Sequence, residues 1–158
     1  MHFDGACEPA PGGGLATYGF VVEGENLDHE ESGLAVPPWT ERATNNVAEY
    51  TAAIRALEYL RSKEFNGGVL IAGDSQLVIR QMLGEYEVRA DHLKAYHDHL
   101  EALGAGFTEV RWTWVPREEN QLADGLSKEA LERERPPAKR QRPPHAPKAR
   151  GTGPTGER

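Results

Sequence analysis

Four acidic residues are the side chains of this sequence best placed to do chemistry: Asp4, Glu49, Asp74 and Asp124. Each belongs to a different segment of the chain, so they cannot form the solvated face of one helix. Converging carboxylates repel one another by about 4 kcal/mol per pair at ~4 Å and an effective dielectric constant near 20. Divalent cations remove that repulsion, and Mg²⁺ prefers oxygen ligands. If the four acids meet, the sequence predicts two Mg²⁺ ions, with Mn²⁺ as a substitute, that could catalyse a displacement at phosphorus.

Five segments have the composition of strands, and some of them must position these acids. They are the run into Asp4, Ala16–Glu23, Leu27–Leu34, Val69–Ala72 and Val110–Val115. The first three predict antiparallel strands, because turn residues separate them. The fourth is a continuous apolar run, as expected for a central strand buried on both faces. In the fifth, Trp112 and Trp114 share one face, and we expect both rings to pack in the core.

Helical periodicity predicts four helices, which carry the remaining acids. They cover Asn46–Lys63, Ser75–Leu83, Asp91–Leu103 and Asn120–Glu132. In the first helix, apolar residues recur at helical spacing from Val47 to Leu60, and Thr44 or Asn45 is the expected N-cap. The order βββαβααβα predicts an α/β fold with a five-stranded mixed sheet and helices on both faces.

Length and composition favour one globular domain, which we place at residues 1–132 of the 158-residue chain. No apolar run approaches the ~18 residues of a membrane-spanning helix. The first residues also lack the apolar region of a secretory signal. Cys7 is the single cysteine, which excludes an intrachain disulfide and favours a reducing, cytoplasmic location. We expect the protein to be a monomer.

The last segment, residues 133–158, differs from the rest in charge and composition. It holds eight of the eighteen Lys and Arg residues but two of the twenty-five acids, which gives it a net charge of +6 against −13 for residues 1–132. Prolines interrupt it and apolar residues are scarce, so we expect it to be disordered. Because the acidic domain alone should repel a phosphate backbone, one hypothesis is that this basic tail contacts nucleic acid.

Four sequence blocks resemble the type 1 ribonuclease H family. They are Asp4-Gly5-Ala6-Cys7, Thr44-Asn45-Asn46-Val47-Ala48-Glu49, Gly73-Asp74-Ser75-Gln76, and the stretch from Trp114 to Asp124. The resemblance implies a ribonuclease H-like fold and an endoribonuclease that hydrolyses the RNA strand of RNA–DNA hybrids, leaving a 5′-phosphate and a 3′-hydroxyl. Two alternatives remain: a catalytically weak hybrid- or RNA-binding module, and another nuclease of the same fold.

The resemblance also implies roles for the acids and their neighbours. Asp4 would bridge two metal ions, Glu49 and Asp74 would complete the leaving-group site, and Asp124 would hold the ion beside the attacking water. The implied substrate contacts are Gly5, Cys7, Thr44, Asn45, Asn46, Gln76 and Asn120.

The substrate residues divide by what they would recognise. The backbone around Gly5 and Cys7 would approach the ribose 2′-hydroxyls that distinguish RNA from DNA, while Thr44 would contact a DNA phosphate. The side chains of Asn45, Asn46 and Gln76 would reach base edges or ribose groups in the minor groove. For Asn45, Asn46 and Asn120, capping of a helix is an alternative or additional role.

Three features depart from the fuller family pattern. Ala10 stands where an Asn often follows the first Asp, so one possible substrate contact is missing. The connection Pro116–Glu119 is shorter than the loop that bears a catalytically helpful His, which leaves water, Arg117 or Glu118 to move protons or release product. Finally, Gly84–Leu93 lacks the basic protrusion that grips DNA in some members.

Overall fold

The computed structural model describes residues 1–24 and 26–136. Within them, five strands and four α-helices follow one another in the predicted order βββαβααβα. The strands are β1 His2–Glu8, β2 Leu15–Val22, β3 His29–Leu34, β4 Gly68–Gly73 and β5 Glu109–Trp114. The helices are α1 Asn45–Ser62, α2 Gln76–Met82, α3 Asp91–Gly104 and α4 Gln121–Glu134, and a short 3₁₀ turn, Arg117–Glu119, precedes α4.

The strands form one mixed sheet in the order β3-β2-β1-β4-β5. Neighbours among β1, β2 and β3 are antiparallel, whereas β4 runs parallel to both β1 and β5. The predicted five-stranded mixed sheet is therefore confirmed. β1 lies at its centre, between the antiparallel and the parallel halves.

Two glycines show that helices cover both faces of this sheet. Gly5 is paired with Tyr18 and Gly19 with Asp4, so the two glycines face opposite sides. A Cβ on Gly5 would lie 2.5 Å from the backbone of α1, and a Cβ on Gly19 would lie 2.7 Å from the backbone of α4. The two helices therefore pack directly on opposite faces, as predicted.

The first strand is longer than its apolar pattern indicated. The prediction ended it at Asp4, but β1 continues to Glu8 and all seven of its residues pair with β2. The apolar run stops at Phe3, whereas backbone hydrogen bonding to a neighbouring strand continues regardless of side-chain type. The predicted start of the third strand was also wrong, because β3 begins at His29 and not at Leu27.

The prediction for α1 is confirmed in its core and in its cap. Val47, Tyr50 and Leu57 are at most 1% exposed, so the periodic apolar face is the buried face. Thr44 Oγ1 accepts a hydrogen bond from the Val47 backbone N–H at 3.2 Å. Thr44, and not Asn45, is therefore the N-cap.

The last helix extends two residues past its predicted end, to Glu134. Arg133 then donates to Ser32 Oγ at 3.1 Å and Arg135 donates to Glu8 Oε2 at 2.6 Å, so both arginines bond to the domain. Residues 137–158, most of the predicted disordered tail, lie outside the described residues. In the described ranges, the helices are too short or too polar for any of them to cross a membrane.

Candidate active site

The parallel pairing of β1 with β4 brings two of the acids together. Phe3 lies opposite Gly73, so Asp4 in β1 and Asp74 directly after β4 are neighbours where this pairing ends. Asp4 is 5% exposed, and the Gly5 backbone N–H donates to its Oδ1 at 2.9 Å. One buried acid and one partly buried acid therefore share the centre of the sheet.

Close packing of α1 and α4 adds the other two acids. A Cβ on Gly5 would lie 2.5 Å from the backbone nitrogen of Glu49, so glycine at this position lets Glu49 approach β1. On the opposite face, Gly19 allows the first turn of α4, which carries Asp124, to lie directly on the sheet. The structure brings all four acids to the wall of one cavity of about 500 Å³.

Asp4 and Asp124 form a hydrogen-bonded carboxyl pair. Burial, the hydrogen bond with Asp124 and the charge of Asp74 all raise the pKa of Asp4, so Asp4 holds the shared proton. Burial acts in the same direction on Asp124, but hydrogen bonds from Lys128 and Asp4 hold the pKa of Asp124 below its usual value. The pair is therefore split into one protonated and one ionised carboxyl group.

Glu49 is the third member of the cluster with a perturbed protonation equilibrium. Burial raises its pKa to about 7; the charge of Asp74 adds to this rise, while a hydrogen bond with Ser75 opposes it. Ser75 Oγ also accepts from the Val78 backbone N–H at 3.2 Å, which caps α2. One hydroxyl group therefore starts a helix and orients a carboxylate of the site.

Two cationic side chains contact the cluster. Lys128 Nζ lies 2.9 Å from Asp124 Oδ2, and Arg117 Nε lies 3.5 Å from Asp74 Oδ2. The field of Arg117 also lowers the pKa values of Glu49 and Asp124. Positive charge from the chain itself thus offsets part of the repulsion among the acids.

The chemistry of the donors fits hard divalent cations, since the acids offer only oxygen ligands and their mutual repulsion favours a positive guest. The present side-chain arrangement is different from a finished metal site. Among the described residues, no three Asp, Glu, His or Cys side chains are grouped as metal ligands. In this arrangement Lys128 and Arg117 hold oxygens of Asp124 and Asp74, and the oxygen-only donor set is the feature that fits a divalent cation.

The residues expected to contact substrate divide into two groups. Gly5, Cys7 and Asn45 line the cavity beside the acids. Asn46 is half-buried and Gln76 is exposed, and both lie near helix starts outside the cavity wall. Thr44, half-buried, caps α1, and Cys7 Sγ donates to the Ala43 carbonyl at 3.2 Å.

Asn120 has a buried position that its sequence context did not suggest. It occupies the N-cap position of α4, as the capping alternative predicted, but it is 1% exposed and its side chain makes no capping hydrogen bond. Instead, Nδ2 donates to the Phe3 carbonyl at 3.0 Å and to Asp74 Oδ1 at 3.4 Å. In this arrangement Asn120 positions Asp74 and is screened from a ligand in the cavity.

Three further residues of the site escaped sequence reasoning. Lys128 follows Asp124 by four residues, a spacing that places both on one helix face and could have been used. Ser75 has the sequence features of a helix N-cap, and these gave no indication that it also bonds to Glu49. Trp114 was expected in the core, but it is 45% exposed and its Nε1 donates to the Asp74 carbonyl at 3.2 Å.

Fold and site together define a class of protein: an α/β domain of ribonuclease H-like topology with a carboxylate cavity of the kind that metal-dependent nucleases use. Sequence comparison agrees, since the family profile described as "Reverse transcriptase-like" matches residues 14–130. Ribonuclease HI of Halobacterium salinarum is 38% identical over 132 residues, which is 83% of this chain and 63% of that relative. The chain thus spans less than two thirds of that relative's length.

Solved structures of ribonucleases H match this chain over nearly their whole length. The crystal structure of RNase H1 from Halobacterium salinarum matches with a TM-score of 0.71 and 35% identity, covering 84% of this chain and 96% of that one. LC11-RNase H1, solved in complex with an RNA/DNA hybrid, matches with a TM-score of 0.70 and 33% identity, covering 84% and 95%. The chain belongs to the type 1 ribonuclease H family. Members of this family depend on divalent metal ions.

Proposed function

We propose that the chain is an endoribonuclease that hydrolyses the RNA strand of RNA–DNA hybrids and leaves a 5′-phosphate and a 3′-hydroxyl. One observation carries this proposal: four carboxylates from four separate elements line a single cavity. A surface that only binds nucleic acid gains nothing from clustered negative charge, because its ligand is also an anion. The choice of substrate is supported by the relative that was solved with a hybrid.

The proposed metal ligands are Asp4, Glu49, Asp74 and Asp124, with two Mg²⁺ ions as the natural occupants and Mn²⁺ as a substitute. Bound at this cavity, the ions would supply positive charge at the scissile phosphate and make water more acidic. The chain itself would present the carboxylate oxygens in position. Less entropy is then lost in bringing the reacting groups together.

Neighbouring side chains hold these carboxylates in place. Asp74 is held at both oxygens, by Asn120 Nδ2 at Oδ1 and by Arg117 Nε at Oδ2. Glu49 is held by the hydroxyl of Ser75. Because each contact restricts rotation of a carboxylate, Asp74 and Glu49 are partly ordered before a ligand arrives.

Recognition of RNA would fall to the backbone of β1. The segment Gly5–Cys7 lines the cavity directly beside Asp4, where its backbone could contact a ribose 2′-hydroxyl. Asn45 lies in the same wall. We propose that Asn46 and Gln76, outside the wall, contact the hybrid as it runs past the cavity, and that Thr44 contacts a DNA phosphate.

A cleavage assay with labelled hybrid, double-stranded RNA and double-stranded DNA tests this function. We expect cleavage of the RNA strand of the hybrid alone, and only when Mg²⁺ is present. Asp74→Asn should reduce cleavage to background and spare hybrid binding, whereas Asp91→Asn, an exposed position on α3, should change neither. Binding without cleavage by the unaltered protein would indicate a binding module, and equal cleavage of duplex DNA would indicate another nuclease.

We also propose that the basic segment after α4 contacts the hybrid. Arg135 lines the same cavity as the acids, so the chain leaves the domain at the edge of the site. Truncation after Pro136 keeps the contacts of Arg133 and Arg135, and it should raise KM and flatten the salt dependence of binding. Equal KM values and equal salt slopes would contradict this role.

The remaining proposals concern the oligomeric state of the protein and its location in the cell. We propose that the enzyme is a monomer, since the four acids already meet in one cavity of a single chain and need no second copy to assemble them. Cys7 is a free thiol, which is consistent with a cytoplasmic location. Sedimentation of the full chain at several concentrations would test the first proposal, and fractionation of the source cells the second.

A further inference from the structure

The ion pair between Lys128 and Asp124 occupies an oxygen that the proposed reaction needs. Lys128 Nζ lies 2.9 Å from Asp124 Oδ2, four residues apart on α4, and the two side chains are 61% and 21% exposed. Asp124 lies in the same cavity wall as Asp4, Glu49 and Asp74. Lys128 therefore contacts one of the four proposed metal ligands.

A divalent ion and an ammonium group cannot both occupy this carboxylate oxygen. At hydrogen-bond distance from the same atom, two cations would lie within a few ångströms of each other and repel strongly in a partly buried cavity. The Lys128 side chain is largely exposed, so it has room to swing into solvent. Arg117 makes the corresponding contact to Asp74 at a longer distance of 3.5 Å.

We propose that Lys128 competes with the divalent ion for Asp124 and thereby sets the metal concentration at which the site fills. This inference rests on the proposed function, because it requires Asp124 to be a metal ligand. Lys128 acts through Asp124 and is therefore a regulatory counter-ion, distinct from the catalytic groups.

Calorimetric titration of the full-length protein with Mg²⁺, without nucleic acid, tests the competition. Lys128→Gln should bind Mg²⁺ roughly 3–10-fold more tightly than the unaltered protein, a range set by the modest strength of partly exposed ion pairs. Lys94→Gln is the matched control, because Lys94 forms an exposed pair with Asp91 on α3 at 3.5 Å. Its Mg²⁺ affinity should be unchanged. Unchanged or weaker binding by folded Lys128→Gln would overturn the proposal.

A second control separates competition from a general change of charge. Arg135 lines the same cavity but pairs with Glu8 and Glu132, outside the four acids. Arg135→Gln removes one positive charge near the site without freeing a metal ligand, so it should tighten Mg²⁺ binding less than Lys128→Gln does. An equal effect of the two substitutions would show that distant charge alone governs affinity, and the competition would be rejected. Circular dichroism melting establishes that each variant is folded.

Chemical labelling of the unaltered protein keeps the proposal testable even if a variant fails to fold. Competition predicts that Mg²⁺ releases the Lys128 ammonium, so its rate of acetylation, followed by mass spectrometry, should rise several-fold while that of Lys94 stays constant. A constant or falling rate at Lys128 would overturn the proposal. If the unaltered protein shows no Mg²⁺ binding and cleaves no hybrid, the proposed function fails as well; if it binds Mg²⁺ and cleaves, only the role of Lys128 is lost.

Discussion

Replacing Glu49 with glutamine should stabilise the protein near neutral pH, although it removes a proposed catalytic group. Burial, aided by the charge of Asp74, raises the pKa of Glu49 to about 7 from an ordinary value of 4.5. The folded chain therefore binds this proton more tightly than the unfolded chain does. For such a group, the stabilising contribution is fully present below the unfolded pKa and is lost as pH rises through the folded pKa.

The size of the effect follows from these two pKa values. Between about pH 5 and pH 8, the unaltered protein should lose about 2.5 kcal/mol of unfolding free energy through Glu49. Residual solvent around the carboxylate reduces this to roughly 2 kcal/mol. Glutamine has nearly the same shape and no charge, so the loss should vanish in Glu49→Gln. The corresponding difference in melting temperature is roughly 5–8 °C for a domain of this size.

The measurement is urea unfolding of the two proteins at several pH values between about 5 and 8 in the presence of a chelator, at constant ionic strength. Glu58→Gln is a matched control, because Glu58 lies on the same helix and is exposed; its effect should stay within about 0.5 kcal/mol at every pH. Adding Mg²⁺ at the highest pH should stabilise the unaltered protein more than Glu49→Gln, since the variant lacks a proposed ligand. If the unfolding free energies of the unaltered protein and Glu49→Gln change with pH by the same amount, the reasoning is refuted.

Three other substitutions test how the fold positions the site. Gly5→Ala places a methyl group 2.5 Å from the α1 backbone, so it should destabilise the protein by about 1–3 kcal/mol and reduce hybrid cleavage, both measurable on one preparation. Thr44→Ala removes the N-cap of α1 and should cost about 1 kcal/mol in urea unfolding, while Thr44→Ser should retain most of that stability. Tyr50→Phe leaves Gln81 Oε1 without its buried donor, now at 2.6 Å, and should lower the unfolding free energy by about 1–3 kcal/mol.

The helices were predictable because their signals are local. The apolar spacing from Val47 to Leu60 identifies the buried face of α1 without knowledge of what covers it. Strand extent depends on a partner, and β1 reaches Glu8 only because β2 pairs with it throughout. The exposure of Trp114 has a similar origin: alternation shows which side chains share a face, but only the sheet order reveals that β5 is an edge strand.

The four acids could be identified from the sequence, by their residue types and the motifs around them. The side chains that support them could be identified only from the fold. Asn120 bonds to the Phe3 carbonyl across 117 positions of sequence, and to Asp74 across 46. No local pattern encodes contacts of that range, so the sequence showed only that Asn120 stands at the start of a helix. The protonation pattern was likewise inaccessible, because the pKa shifts of Asp4 and Glu49 come first from burial.

The shortened connection between β5 and α4 changes the charge of the site as well as its length. It places Arg117 3.5 Å from Asp74, in the region where a longer loop would carry a His. A guanidinium group stays protonated at all relevant pH values, so Arg117 can offset negative charge but cannot relay a proton. Glu118 is exposed and absent from the cavity wall. This connection therefore supplies a fixed positive charge beside Asp74, and in the proposed reaction proton transfer at that position would fall to water.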